Sequence, residues 1–158
     1  MPSHNITVDI LIDDEVKSPL SPEEISKIVT TACAYRGFYR GQIGVRVTND
    51  PEIHQINQTH LQHDYPTDVI SFDYGSEGDR IEGELVVSVD TASCQAQELG
   101  WEVEKEMALY LIHGTLHVAG MDDQDPTLRR DMRQAETEIL SQLGIELPER
   151  LSPDGSST

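Results

Sequence analysis

Two histidines, His113 and His117, stand four residues apart, a spacing that could hold a metal ion. On a helix, side chains at positions i and i+4 share a face, with Cβ atoms about 5–6 Å apart. Two imidazole nitrogens so placed can each reach one ion at about 2.0–2.1 Å. Gly120 follows where a positive φ would end the helix and turn the chain back. Asp123 is then placed to supply a carboxylate as third ligand, which leaves a fourth position for water.

The same spacing occurs in the metzincin pattern H-E-x-x-H-x-x-G-x-x-H, with two substitutions here. Gly114 replaces the glutamate that serves those proteases as general base, which argues against peptide hydrolysis by that route. Asp123 replaces the third histidine, and Asp122 is a second candidate for that ligand. Both aspartates could instead be turn or cap residues, and either histidine could be an ordinary core or surface residue.

The elements that must position these residues follow the order βαβαββααα. Apolar alternation and runs predict strands over 6–12, 43–47, 69–72 and 85–89. A capping box at Ser21 and Glu24 starts a helix that stops near Gly37, and a shorter helix begins at Asp50. Further helices are predicted over 91–99, 102–118 and 126–143. We expect one α+β domain with a four-stranded mixed sheet and a zincin-like metal site on the central helix.

Composition limits the class of protein. The 158 residues suit one domain, predicted over 1–148, and the tail over 149–158 has almost nothing to bury. No apolar run is long enough for a membrane span, and two distant cysteines exclude a disulfide-rich scaffold, so we expect a cytoplasmic protein. A net charge of −18 repels phosphate backbones and argues against bulk coating of nucleic acid. A local basic groove or a bound metal is compatible with this net charge.

Three segments resemble signatures of one family. Residues 113–122, HGTLHVAGMD, are similar to H-G-x-L-H-L-x-G-Y-D-H of the YbeY family, bacterial metallo-endoribonucleases specific for single strands. Residues 64–72, DYPTDVISF, resemble its D-x-P-T-D-V-L-S-F, and residues 83–88, GELVVS, resemble its G-D-I-x-I-S. The segments occur in the family's order, and the resemblance extends over about residues 5 to 145.

The resemblance implies a zinc-like metal, one per chain, and action on single-stranded rRNA in the cytoplasm. It further implies a part in maturation of the 3′ end of small-subunit rRNA and in ribosome quality control, with the small subunit or its proteins as partners. Two departures stand out: Asp123 replaces the usual third metal histidine, and Leu61 replaces an arginine thought to help with RNA. His60 and His63 are nearby polar candidates for that role, although their interpretation as exposed loop histidines without a function is favoured.

Two other functions remain open. The chain could be a ribosome-associated binding factor with a structural metal and little turnover, which its acidity and Leu61 favour. A different metallohydrolase, such as an amidase, is opposed by Gly114. For a nuclease, the nucleophile expected is water at the fourth metal position, and no side chain is assigned as the proton acceptor.

RNA contacts are predicted on two segments. The wall opposite the metal would come from residues 57–72, where Asn57, Thr67 and Ser71 could contact phosphates. The segment 35–40 interleaves aromatic and basic residues, and Arg36 and Arg40 could contact single-stranded RNA while the rings stack on bases. These arginines could equally pair with acidic neighbours. Basic residues at 129, 130 and 133 share one helix, for which a solvated face is favoured.

Overall fold

The structure is a computed structural model that describes residues 5–61 and 69–146, with side chains as far as residue 56 in the first segment. Its elements are β1 (Asn5–Ile12), α1 (Pro22–Tyr35), β2 (Arg40–Thr48), α2 (Asp50–Leu61), β3 (Val69–Asp73), β4 (Arg80–Ser88), α3 (Val89–Leu99), α4 (Val103–Val118) and α5 (Pro126–Gln142). This order matches the predicted βαβαββααα. The predicted tail, 149–158, lies outside the described residues.

Several predicted boundaries are wrong. β2 begins at Arg40 and not at Ile43, and β4 begins at Arg80 and not at Leu85. Val89 was expected to end the fourth strand but begins α3, because Ser88 caps that helix and its Oγ accepts a hydrogen bond from the Thr91 amide at 3.3 Å. The predicted capping box of α1 is confirmed. Ser21 Oγ accepts from the Glu24 amide at 3.2 Å, and the Glu24 carboxylate accepts from the Ser21 amide at 2.9 Å. Such a cap stabilises a helix by about 1 kcal/mol.

The four strands form one mixed sheet in the order β1-β2-β4-β3. β1 pairs with β2 and β2 with β4 in parallel, while β3 runs antiparallel to β4. Each parallel pair needs a crossover, and α1 provides the one between β1 and β2. The predicted α+β class with a four-stranded mixed sheet is therefore confirmed.

The main core lies between one face of the sheet and the helices α1, α4 and α5. α4 is the central helix, because its buried residues, among them Met107, Tyr110, Leu111, Ile112 and Leu116, spread around most of its surface. Burial of each such side chain contributes about 1.5–3 kcal/mol. A helix held on several sides is a rigid support for the side chains at its end.

The opposite face of the sheet is only partly covered. α2 lies over it through Ile53, which packs with Ile70 and Val86 in a small second core. Beyond α2 this face carries polar groups, and Arg46 there pairs with Asp13 at the end of β1 at 3.1 Å. Across the described ranges no helix combines the length and apolar character needed to cross a membrane.

Candidate metal centre

The two histidines lie at the exposed end of the central helix. His113 and His117 are one turn apart on α4, and their side chains are 28% and 27% exposed. Their rings meet edge to face with centroids 4.6 Å apart, and the two Nε2 atoms are separated by 3.1 Å. Because Gly114, Thr115, Leu116 and Val118 around them are buried, the backbone that carries both imidazoles is held in place, while the rings stay partly exposed to solvent.

A turn after α4 brings Asp123 back to these rings. Gly120 has φ +98°, a conformation that favours glycine, and its amide donates to the His117 carbonyl at 3.0 Å. Asp123 Oδ2 then lies 3.6 Å from His113 Nε2, and its Oδ1 lies 3.7 Å from His117 Nε2. The glycine-broken helix expected from the sequence therefore does return a carboxylate to the histidine pair.

The three side chains are spaced as ligands of one cation would be. One ligand atom from each of His113, His117 and Asp123 lies within 4.8 Å of the others. In a tetrahedral zinc site with bonds of about 2.0–2.1 Å, ligand atoms lie roughly 3.3 Å apart. The separations of 3.1, 3.6 and 3.7 Å bracket that value. The donor set and its spacing therefore fit a single divalent metal that takes three ligands from the described part of the chain.

The neighbouring aspartate has another contact. Asp122 Oδ1 accepts a hydrogen bond from the Asp123 backbone amide at 2.7 Å. This contact fixes the turn that presents Asp123, and it suits the alternative that an aspartate here caps a turn. The structure thus places Asp123, the aspartate that the spacing favoured, beside the rings, and gives Asp122 a contact within the turn.

A carboxylate lies behind the first histidine. Glu136 of α5 is buried, and its Oε2 is 2.5 Å from His113 Nδ1, the ring nitrogen on the side away from Asp123. Sequence reasoning missed this residue because it lies 23 positions from His113. One signal could have found it: Glu136 falls between Met132 and Ile139 on the apolar face of α5, where a charged side chain needs a partner.

Gly114 faces the sheet rather than the metal cluster. A Cβ at this position would lie 2.9 Å from Leu85 Cδ2 and 3.0 Å from Val69 Cγ2. The absent side chain lets α4 approach β3 and β4 closely. The position that carries a general base in the protease pattern therefore has a packing role in this protein and supplies no proton acceptor.

A cavity of about 330 Å³ adjoins the cluster between α3, α4 and α5. His113 and Asp123 line it together with Arg129 and Arg133. Arg129 Nη1 donates to the backbone carbonyls of Asp123 and Gln124, each at 3.4 Å. The favoured interpretation of these arginines as a solvated face is therefore incomplete, since two of the three border the candidate site.

Of the predicted RNA contacts on residues 57–72, only Ser71 has a described side chain. It is half-buried on β3 opposite Leu85, on the sheet face that packs against α4. The other residues proposed there, Asn57, His60, His63 and Thr67, have side chains outside the described residues, as does Leu61, which replaces the family's arginine. Their roles stay predictions.

The segment 35–40 is engaged in structural contacts. The Tyr35 hydroxyl donates to Glu138 of α5, and this hydrogen bond raises the pKa of the phenol. Arg40 pairs with Asp79, with Nη2 to Oδ1 at 2.7 Å, whereas Arg36 is exposed at the end of α1. These contacts favour the acidic-neighbour interpretation for Arg40, and RNA binding by Arg36 and Arg40 stays a prediction.

The fold and the cluster define an α+β domain with a zincin-like candidate metal centre at the end of its central helix. The family described as Endoribonuclease YbeY matches residues 11–144. The chain belongs to this family of endoribonucleases, as its three signature segments indicated.

Relatives carrying the name Endoribonuclease YbeY support the assignment. The chain is 46% identical over 167 aligned residues to one from Rhodopirellula baltica, covering 99% of this chain and 85% of that protein. It is 36% identical over 127 residues to one from Bacteroides thetaiotaomicron, covering 80% and 92%. It is 35% identical over 130 residues to one from Aquifex aeolicus, covering 80% and 87%.

A solved structure shares the fold. A Thermotoga maritima protein of known solution structure aligns with a TM-score of 0.61 at 22% identity, covering 87% of this chain and 92% of that one. At this identity the likeness supports the architecture alone.

Proposed function

We propose that the chain is a metal-dependent endoribonuclease that cleaves single-stranded RNA, with His113, His117 and Asp123 as ligands of one zinc ion per chain. The observation that carries this proposal is the convergence of three ligand atoms within 4.8 Å at the end of α4, in a member of an endoribonuclease family. Residues 1–148 would form the nuclease domain and 149–158 a flexible tail.

The site's own residues limit the mechanism. A bound divalent metal supplies Lewis-acid stabilisation to a phosphate oxygen and lowers the pKa of coordinated water. Asp123 gives the ligand set one negative charge more than three histidines would, and as a ligand it is not a free base. Gly114 offers no proton acceptor at the position of the protease glutamate, and no side chain is assigned as the general base.

The adjoining cavity offers arginine side chains to a phosphodiester, beside the carboxylates of Glu106, Asp123 and Glu136. Arg133 lines it beside His113 and Asp123, and no carboxylate among the described side chains lies within ion-pair distance of its guanidinium. An arginine in that position can pair with a phosphate oxygen of a strand whose next phosphate is at the metal. Additional contacts are proposed from Asn57, Thr67, Ser71, Arg36 and Arg40.

The proposed substrate in the cell is single-stranded rRNA at the 3′ end of the small-subunit RNA, with a further role in ribosome quality control. The net charge of −18 repels RNA at long range, so free RNA should bind weakly. Delivery on the small ribosomal subunit or by its proteins would overcome this repulsion. These partners imply action in the cytoplasm.

The test combines metal content with cleavage. Elemental analysis of purified protein should find about one zinc per chain, and a single-stranded fragment of the rRNA 3′ end should be cut. His117→Ala should lose both the metal and the cleavage. His54→Ala is the matched control, because His54 is a half-buried histidine on α2, outside the cluster.

Each outcome separates the candidate functions. Cleavage by folded, metal-free protein at the wild-type rate would contradict the proposal. Retained metal and binding to small subunits without any cleavage would instead establish the binding-factor alternative, in which the metal is structural.

A further inference from the structure

We infer that Glu136 is a positioning residue for the metal centre: its carboxylate holds the His113 ring so that Nε2 faces the cation. The inference rests on the proposed metal centre but concerns a residue outside the ligand set. Glu136 belongs to α5, so a second helix would control the geometry of a ligand on α4.

The geometry sets the direction of this hydrogen bond. A carboxylate has only acceptors, so the 2.5 Å contact places the proton on His113 Nδ1, which donates to Glu136 Oε2. An imidazole that keeps its single proton on Nδ1 presents a lone pair at Nε2, the atom 3.1 Å from His117 Nε2 and 3.6 Å from Asp123. A metal ligand needs that lone pair, so the contact selects the competent tautomer.

Glu136 cannot itself be a ligand of the same ion while it makes this contact. It meets the ring at Nδ1, whereas the cluster gathers at Nε2, and the two nitrogens of an imidazole point in diverging directions. A contact of this kind between a carboxylate and a metal-binding histidine is a recurring outer support of metal sites.

Burial makes the support rigid. The Glu136 side chain is only 10% exposed and sits among apolar residues of α5 such as Met132 and Ile139. A charged group there is costly unless it is paired, and His113 is the partner that the structure provides. The ring is thereby fixed at Nδ1 before any cation arrives.

Two measurements on full-length protein test the role. The first is the tautomer of His113 in metal-free protein, read from ¹⁵N chemical shifts of the imidazole. The second is zinc affinity by chelator competition. Glu136→Ala removes the acceptor, and Glu136→Gln keeps the shape while its amide can also donate to Nδ1. Glu138→Gln is the matched control, since Glu138 is on the same helix but contacts Tyr35.

We expect wild type and Glu138→Gln to hold the Nδ1–H tautomer, and Glu136→Gln to show a mixture of the two. Zinc affinity should fall about 10- to 100-fold in Glu136→Ala, and by less in Glu136→Gln. If circular dichroism shows that Glu136→Ala is not folded, the tautomer and zinc affinity of Glu136→Gln alone test the inference. Wild-type tautomer together with affinity within about twofold in Glu136→Gln would overturn the inference.

Failure of the proposed metal centre can be distinguished from failure of the role assigned to Glu136. If wild-type protein binds no zinc, both the proposed function and this inference fall. If wild type binds zinc and Glu136→Gln binds it equally well with an unchanged tautomer, only the role of Glu136 falls.

Discussion

Gly83 of β4 lies against Val118, the last residue of α4. A Cβ at Gly83 would be 2.5 Å from Val118 Cγ1 and 2.5 Å from the Phe72 carbonyl oxygen. Val118 directly follows His117, so this contact sets how closely the end of the histidine-bearing helix approaches the sheet. The glycine is required here for space, not for an unusual backbone angle.

Gly83→Ala should destabilise the protein by about 1–3 kcal/mol, because the new methyl group meets a strand carbonyl that cannot move aside. Urea unfolding measures the change. Gly44→Ala on the adjacent strand β2 is the control, since its Cβ would find the Glu84 side chain at 3.4 Å and nothing closer. We expect that variant within about 0.5 kcal/mol of wild type. Equal stability of the two variants would show that the close approach is not required.

Asp123→Asn should lower zinc affinity by tenfold or more, because an amide oxygen is a poor substitute for a carboxylate ligand and even outer contacts cost about 10–100-fold. Asp122→Asn is matched to it, since an amide oxygen can still accept from the Asp123 backbone amide. That variant should lose far less affinity. Asp123→His should tighten binding by supplying a third imidazole. Greater loss in Asp122→Asn than in Asp123→Asn would identify the other aspartate as the ligand.

Arg133→Gln should weaken binding of single-stranded RNA and reduce its salt dependence. One lost phosphate contact lowers the slope of log affinity against log salt by about 0.7 for a single strand. Arg130→Gln is the control: Arg130 is exposed on the same helix, away from the cavity lining. Identical salt slopes for Arg133→Gln and Arg130→Gln would show that Arg133 does not contact a phosphate of the bound RNA.

Acid should weaken the link between β1 and β2. Hydrogen bonds from Arg46 hold the pKa of Asp13 below its usual value, and Thr48 also donates to this carboxylate. The stabilisation is therefore present above the ordinary pKa of about 3.9 and is lost as the pH falls through the lowered value. Asp13→Asn should cost about 0.5–1 kcal/mol at pH 7.

Unfolding free energies measured over a series of pH values test this prediction. Unfolding free energies of wild type and Asp13→Asn should converge in acid, once the pH has fallen below the lowered pKa of Asp13 and the wild-type carboxyl is neutral. Asp14→Asn, a change at the exposed neighbouring carboxylate, should stay within about 0.5 kcal/mol of wild type at pH 7. A gap between wild type and Asp13→Asn that does not narrow in acid would show that charge is not the cause.

Local features of the fold were predictable because their causes lie within a few residues. The Ser21 cap, the left-handed Gly120 and the four-residue histidine spacing depend on backbone geometry that the chain specifies nearby. Strand and helix order followed from apolar periodicity for the same reason. The boundary at Val89 was misplaced because an apolar run satisfies a buried strand and a helix start equally well, and only the Ser88 cap decides between them.

The sequence by itself determined that two imidazoles share a helical face and that the chain turns back after them. Tertiary structure alone decided that Glu136 contacts His113 and that Arg133 borders the same cavity. The physical reason is separation along the chain. Spacing specifies which neighbours can meet within one helix, whereas contacts between α4 and α5 depend on how both helices pack on the sheet.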